Sequence, residues 1–310
     1  MNSQNRQSLI EKSAKIITVG TFDGVHIGHK KILDRVVNLA QTNNLRPTVL
    51  TLFPHPRMVL QKSDDIKLLN TIEERIEILK NCGITDVIVK EFNEAFANLS
   101  AEEYVKQILV DELNTKQIVI GYDHHFGKNR TANITDLKRF AEKYNFKVEE
   151  ISAQDIADVT VSSTKIRKAL EAGKVSVANA YLGYNYFING EVIKGKGLGR
   201  TLEFPTANIN IKESYKLIPA DGVYVVRSTF ENATIYGMMN IGTNPTVDGK
   251  TRSIEVNFFN FNKDIYGQSL RIEFLKWIRS EQKFENLDAL KTQLNEDMKT
   301  AKAVIETLNE

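Results

Sequence analysis

A change of rhythm partway along the chain constrains its fold more than any other feature. In the first half, β-rich runs at 15–22, 47–53, 86–92, 117–123 and 147–152 alternate with helical stretches at 28–42, 72–83, 101–113 and 136–145. Buried strands alternating with helices specify parallel βαβ units in a doubly wound sheet, where ligands bind at the carboxyl ends of strands. After Gly173 the texture changes, and from Tyr186 strand follows strand. Turn signals at 219–222, Asn244-Pro245 and Asp248-Gly249 separate these runs, the pattern of a small antiparallel barrel, and a helix over about 286–308 closes the chain. The expected fold is α/β: a doubly wound parallel-sheet domain over 1–182, then a small antiparallel β-barrel with a closing helix over 183–310.

Composition narrows the classes of function. A chain of 310 residues lets each half bury its own core. The formal net charge of +2 creates no field to draw in nucleic acid or a membrane, so neither is expected as a partner. The single cysteine, Cys82, excludes an intrachain disulfide and reads as a small buried filler. No run approaches bilayer length, and the first residues lack the apolar core of a signal peptide. A cytoplasmic location is expected.

The segment from Gly20 through Phe22, His26 and Gly28 to His29 lies where the first strand turns into a helix. Helical spacing puts His26 and His29 on one face. The helix amino terminus adds unpaired N–H groups and partial positive charge. Two imidazoles there suit phosphate oxygens whose charge grows during attack on an α-phosphate. Gly28 leaves room for a flat base against the backbone. Spacing alone also leaves open a capped helix with two surface histidines. Ser163 and Thr164 open a later helix, with Arg167 one turn on, a phosphate cradle or an ordinary N-cap. His55, in Phe53-Pro54-His55-Pro56, and Asp123, in the run from Gly121 to Gly127, follow other strands at the edge where substrate belongs. His124 and His125 have no carboxylate or cysteine at ligand spacing and do not make a metal site.

These strings carry a resemblance. TFDGVHIGHKKIL resembles the HxGH signature of the adenylyltransferase superfamily, in its bacterial FAD synthetase branch. Ser163-Thr-Lys-Ile-Arg167 with Ser162 is similar to the SSTxIR motif, which holds outgoing pyrophosphate in that family. FPHP and the G-x-[DN]-x-x-F-G loop resemble further family features. The resemblance implies a nucleotidyltransferase domain in which His26 and His29 are catalytic. It implies that Gly20, Phe22, Gly28, Ser163, Thr164 and Arg167 bind ATP and phosphate, and that His55 and Asp123 lie near nucleotide or flavin.

In the second half, two familiar phosphate loops fail on inspection. The run from Gly190 to Lys196 matches G-x-x-x-x-G-K, but Gly197 stands where a P-loop needs Ser or Thr. Gly195 and Gly197 begin a G-x-G-x-x-G in which Arg200 replaces the third glycine, and no helix follows. GKGLGRTLEFPTANI instead resembles the signature of riboflavin kinases. That resemblance implies that Gly195, Gly197 and Gly199 contact ATP or flavin, and that Thr206 and Asn208 hold Mg²⁺, which prefers hard oxygen ligands. Glu203 departs from the pattern, standing where the family has glycine. Glu255 alternates with apolar neighbours on a strand, facing either water or the interior; in the family this glutamate is the proposed base for the ribityl 5′-hydroxyl. Arg279 and Phe284, before the last helix, are implied flavin contacts, with ordinary helix entry as the alternative.

The whole chain is thus similar to bacterial bifunctional riboflavin kinase/FAD synthetases. The activity implied is phosphorylation of riboflavin to FMN and adenylylation of FMN to FAD, with ATP as co-substrate and Mg²⁺ as cofactor. Weak self-association is left open. Two rivals remain: an adenylyltransferase for nicotinamide mononucleotide or phosphopantetheine, and a barrel that binds nucleic acid or protein. Both leave the PTAN string and Glu255 unexplained.

Overall fold

The computed structural model describes residues 13–61, 66–152, 161–195, 199, 202–246 and 249–309, with the side chains of 244–251 and 309 outside that description. The chain divides into two compact units between Ser162 and Ser163.

The first unit is built on a five-stranded parallel sheet of order β3-β2-β1-β4-β5. Its strands are β1 (Lys15–Val19), β2 (Arg46–Phe53), β3 (Asp86–Glu91), β4 (Thr115–Gly121) and β5 (Lys147–Ile151). The principal helices are α1 (Ile27–Asn43), α2 (Pro56–Leu60), α3 (Ile72–Asn81) and α4 (Ile134–Tyr144). The strand order reverses between β1 and β4, which makes their carboxyl ends the switch point where such sheets bind ligands. Local signals account for the helix ends. Thr71 and Glu74 form a reciprocal capping box before α3, and Asn145, in the left-handed conformation, stops α4. The stretch expected as one helix over 101–113 starts as an α-turn, Ala101–Glu103, and widens into a π-helical segment, Tyr104–Glu112. That segment buries Tyr104, Val105, Ile108 and Leu109 against the sheet.

The second unit is a closed barrel of order β10-β7-β6-β11-β8-β9. Its strands are β6 (Phe187–Ile193), β7 (Ala207–Asn210), β8 (Gly222–Phe230), β9 (Ala233–Thr246), β10 (Gly249–Phe258) and β11 (Ser269–Ser280). Closure leaves no sheet edge unpaired. Three helices belong with it: α5 (Ser163–Glu171), α6 (Val175–Leu182) and the closing α7 (Leu287–Asn309). The expected boundary at 182/183 thus follows α6, inside this unit.

The α5–α6 pair is fastened to the barrel by specific contacts. Ala220 N–H donates to the Leu170 carbonyl at 3.0 Å, and the Asn179 amide donates to the Phe274 carbonyl at 2.8 Å. Gly173, at φ +70°, lies so close to Trp277 that a Cβ would sit 1.7 Å from the indole ring. Both the left-handed backbone and the missing Cβ are therefore required there. Gly173→Ala is expected to destabilise this unit by about 2–4 kcal/mol, from overpacking and backbone strain together. Denaturant unfolding followed by Trp277, the chain's only tryptophan, checks this.

Candidate active sites

The first site grows from the turn between β1 and α1. Asp23 is its anchor. The buried carboxylate accepts N–H bonds from Leu69 at 2.9 Å and Asn70 at 3.3 Å, and faces buried Arg75 at 3.7 Å. The Asn70 side-chain oxygen accepts from Gly24 N–H at 2.9 Å, and Arg75 donates to Thr51 Oγ1 at 3.4 Å. This web holds the turn in a conformation that bulky residues avoid: Phe22 at φ +47° and Val25 at φ +36°. Positive φ at two such residues is stored strain of the sort that accumulates at functional sites.

The turn delivers both histidines. His26 is the N-cap of α1 rather than a residue on it, and its Nδ1 accepts from His29 N–H at 3.3 Å. The rings stack at 3.7 Å between centroids, and Phe22 meets His29 edge-on at 5.1 Å. Gly28 also has a purpose inside the turn. A Cβ there would lie 3.2 Å from His26 Nδ1, so the missing side chain makes room for the imidazole. Gly20 does the same for Phe22, whose ring would stand 3.1 Å from a Cβ.

Burial holds the His26 pKa down to about 4, against a smaller upward pull from Asp23. His29 is driven well below its ordinary value by burial, then by His26 and Arg75. Both rings are therefore neutral at neutral pH. Because His26 Nδ1 accepts, its proton sits on Nε2, which makes that nitrogen a donor. His29 Nδ1 is sealed from solvent and has no partner among the described residues.

The other expected residues of this unit leave neighbouring strand ends. His55 follows β2, and its Nδ1 caps α2 by accepting from Arg57 N–H at 3.2 Å. Asp123, two residues beyond β4, is exposed, and its carbonyl bonds His125 Nδ1 at 2.9 Å. Tyr104 is a residue that sequence reasoning missed. Its ring packs 5.8 Å from Phe126 of the Asp123 loop, and its buried hydroxyl has no partner among the described residues. Ser163, Thr164 and Arg167 open α5, in the second unit.

The second site lies on the outer face of the barrel. Ile254, Val256 and Phe258 point into the core, so period-two alternation turns Glu255 and Asn257 outward. Register pairs Glu255 with Asn208 on β7, and Asn208 with Ile193 on β6. Thr206, two residues before Asn208, donates its hydroxyl to Glu255 Oε2 at 3.1 Å. Gly195 and Gly199 close in from the preceding loop. A Cβ on Gly195 would lie 2.0 Å from the Asn208 amide, and one on Gly199 would lie 2.3 Å from the Phe204 carbonyl. Gly197 lies outside the described residues. Four expected residues within 195–208 thus converge with Glu255, 47 residues beyond Asn208, on one patch.

On the β10 side of this patch, Asn257 donates to the Pro205 carbonyl at 2.8 Å. Beyond it opens a cavity of about 530 Å³, walled by Phe204, Phe258, Phe259 and Phe261 and floored by α7. Arg279 and Phe284 lie together at the entry to α7. The Arg279 fork is committed to buried Asp297 at 2.7–3.1 Å, and its guanidinium stands 5.7 Å from the Phe284 ring.

Comparison with known proteins bears on both sites. The FAD synthetase family matches residues 9–165 and the riboflavin kinase family residues 182–305. A bifunctional riboflavin kinase/FMN adenylyltransferase of Buchnera aphidicola is 39% identical, over 94% of this chain and 94% of its own. Counterparts of the same description in Bacillus subtilis and Escherichia coli are 37% and 33% identical, each over more than nine-tenths of its own length. A solved structure described as a macrolide-efflux protein of Streptococcus pneumoniae is 32% identical over 94% of each chain, with a TM-score of 0.84. No helix among the described residues of this chain is long and apolar enough to cross a membrane.

The neutral histidines carry a consequence for stability. An unfolded His26 takes up its proton near 6.5, the folded ring only near 4. Unfolding therefore binds protons in that window, so the contribution is complete above pH 6.5 and lost as the pH falls toward 4. His26 alone accounts for about 3 kcal/mol. Melting temperature measured between pH 7 and 4.5 should fall, and His26→Gln should flatten the fall.

Proposed function

The chain belongs to the bifunctional riboflavin kinase/FMN adenylyltransferase family, phosphorylating riboflavin to FMN and adenylylating FMN to FAD with ATP, and we propose that the two patches above divide this chemistry between them. Adenylyl transfer belongs to the β1–α1 turn. The stacked histidines, neutral and donating from Nε2 at His26, offer hydrogen bonds to phosphate oxygens as charge develops on the α-phosphate. Gly20, Phe22 and Gly28 keep the turn in shape; for Ser163, Thr164 and Arg167 the pyrophosphate role rests on the resemblance of their motif alone. FMN lies at the sheet edge between His55 and Asp123.

Phosphorylation of riboflavin belongs to the barrel patch, and the Thr206–Glu255 hydrogen bond carries this reading. By donating its proton to Glu255, Thr206 fixes the carboxylate and leaves its own lone pairs available to a cation. With the Asn208 carbonyl oxygen it forms the hard-oxygen set that Mg²⁺ prefers; the remaining positions are left to phosphate and water. Bound there, Mg²⁺ would neutralise charge on the transferring phosphoryl group. Gly195, Gly197 and Gly199 let backbone approach the phosphates on the β6 side. Glu255 takes the proton of the ribityl 5′-hydroxyl. Arg279, fixed by Asp297, and Phe284 beside it are the flavin contacts that the resemblance implies. Because both reactions consume ATP, this reading places the chain in the cytoplasm.

Two variants separate the sites. Glu255→Gln keeps the shape but removes the basic oxygen, so FMN formation is expected to fall roughly 10²–10⁴-fold while adenylylation of supplied FMN continues. His29→Ala should cut FAD formation about 10²–10³-fold and spare FMN formation. Chromatographic separation of the flavins after incubation with ATP and Mg²⁺ reads both. Equal loss of both activities in a folded variant would return that residue to a structural role.

A further inference from the structure

The segment that carries Arg279 and Phe284 is held from three sides. Arg279 pairs with Val223 of β8 near the end of β11, and its carbonyl would lie 2.5 Å from a Cβ on Gly222, so the two backbones meet closely there. Glu281 folds over Gly242 of β9, and its Oε2 accepts from Thr243 N–H at 3.4 Å. The third side is α7. Leu290, Leu294 and Met298, at helical spacing, join one cluster with Val223 of β8, Met238 of β9 and Ile278 of β11, which seats the helix on the barrel. An exposed ion pair, Lys291 to Glu203 at 2.7 Å, adds little to that seat. From this fixed helix Asp297, only 1% exposed, meets the Arg279 fork: Oδ1 accepts from Nε at 2.9 Å and Oδ2 from Nη2 at 2.7 Å. Gln293, one turn earlier, donates to Asp297 Oδ1 at 3.0 Å and accepts from Gln282 at 3.1 Å, which leads the network back into the segment.

Taking a carboxylate out of water is costly, and a bidentate guanidinium with a further amide is the donor set that offsets it. Arg279 is as fully committed as its partner. Its Nη1 donates to the Ser280 carbonyl at 3.0 Å, so every guanidinium nitrogen is engaged, and what the group still offers a planar ligand is its flat face. We propose that Asp297 is a positioning residue for riboflavin: by holding the Arg279 fork it presets Arg279 and Phe284 as one flavin contact. The inference rests on the reading above that these two residues touch the flavin. Neither Asp297 nor Gln293 belongs to the Thr206, Asn208 and Glu255 patch, so loss of the carboxylate weakens riboflavin binding while the chemical step keeps its rate.

Steady-state FMN formation by the full chain, at varied riboflavin and then at varied ATP, tests this, with thermal melting to confirm that each variant is folded. Asp297→Asn keeps the shape but gives up the charge that holds the fork. It should raise KM for riboflavin about 5–20-fold and leave kcat and KM for ATP unchanged, the pattern of lost preorganisation. Asp297→Glu keeps the charge but displaces the fork by a methylene, and should act in the same direction to a smaller extent. Because Asp297 works through Arg279, Asp297→Asn combined with Arg279→Gln should share its riboflavin KM with Arg279→Gln alone. Phe284→Ala checks the underlying reading separately and should itself raise KM for riboflavin. If it does so while the folded Asp297 variants keep the native KM, the proposal is overturned. A joint shift of kcat and both KM values would also overturn it, since that marks a structural role. An unchanged riboflavin KM in both Phe284→Ala and Arg279→Gln removes the flavin reading itself.

Discussion

The first unit depends on one buried carboxylate. Asp23 and Arg75 are both shut away from solvent, and a buried ion pair gains over its desolvation cost only when further hydrogen bonds complete it. Here the amides of Leu69 and Asn70 do so. With Asp23 fixed, Phe22 and Val25 are held at positive φ, and His26 is delivered to the N-cap with its ring against His29. Neutrality of the rings follows from the same burial. In the proposed reading the site stores its donors uncharged and offers an anionic substrate N–H groups already aimed, which is electrostatic preorganisation.

The second unit solves the matching problem by register. Closing the barrel fixes β7 against β10, and that pairing alone brings Asn208 opposite Glu255. A shift of one residue would turn Glu255 into the core and bring Val256 out, so the buried Ile254, Val256 and Phe258 protect the site's geometry. The same alternation decides that Glu255 faces outward, toward Thr206. The two units thus use different devices for one end: a strained turn held by a buried ion pair, and an unstrained strand held by its neighbours.

Much of this was legible in the sequence. The alternation of strands and helices specified the doubly wound sheet, and the change after Gly173 specified the barrel, because periodicity is a local property. Most of the residues singled out in the barrel signature do converge. What the sequence could not carry was long-range. His26 as a stacked N-cap depends on amides 46 and 47 residues from Asp23, and Glu203 meets its partner 88 residues away. That a Cβ at Gly28 would crowd the His26 ring is likewise not visible in the local sequence.

The central claim is that one chain holds two sets of residues that divide the two reactions between them. Trans-complementation tests it most directly. Glu255→Gln and His29→Ala proteins are mixed with riboflavin, ATP and Mg²⁺, and FAD is followed over time. Neither variant alone should make appreciable FAD, whereas the mixture should accumulate FMN first and then FAD after a lag. A mixture that yields no more FAD than the two variants measured apart would contradict the account.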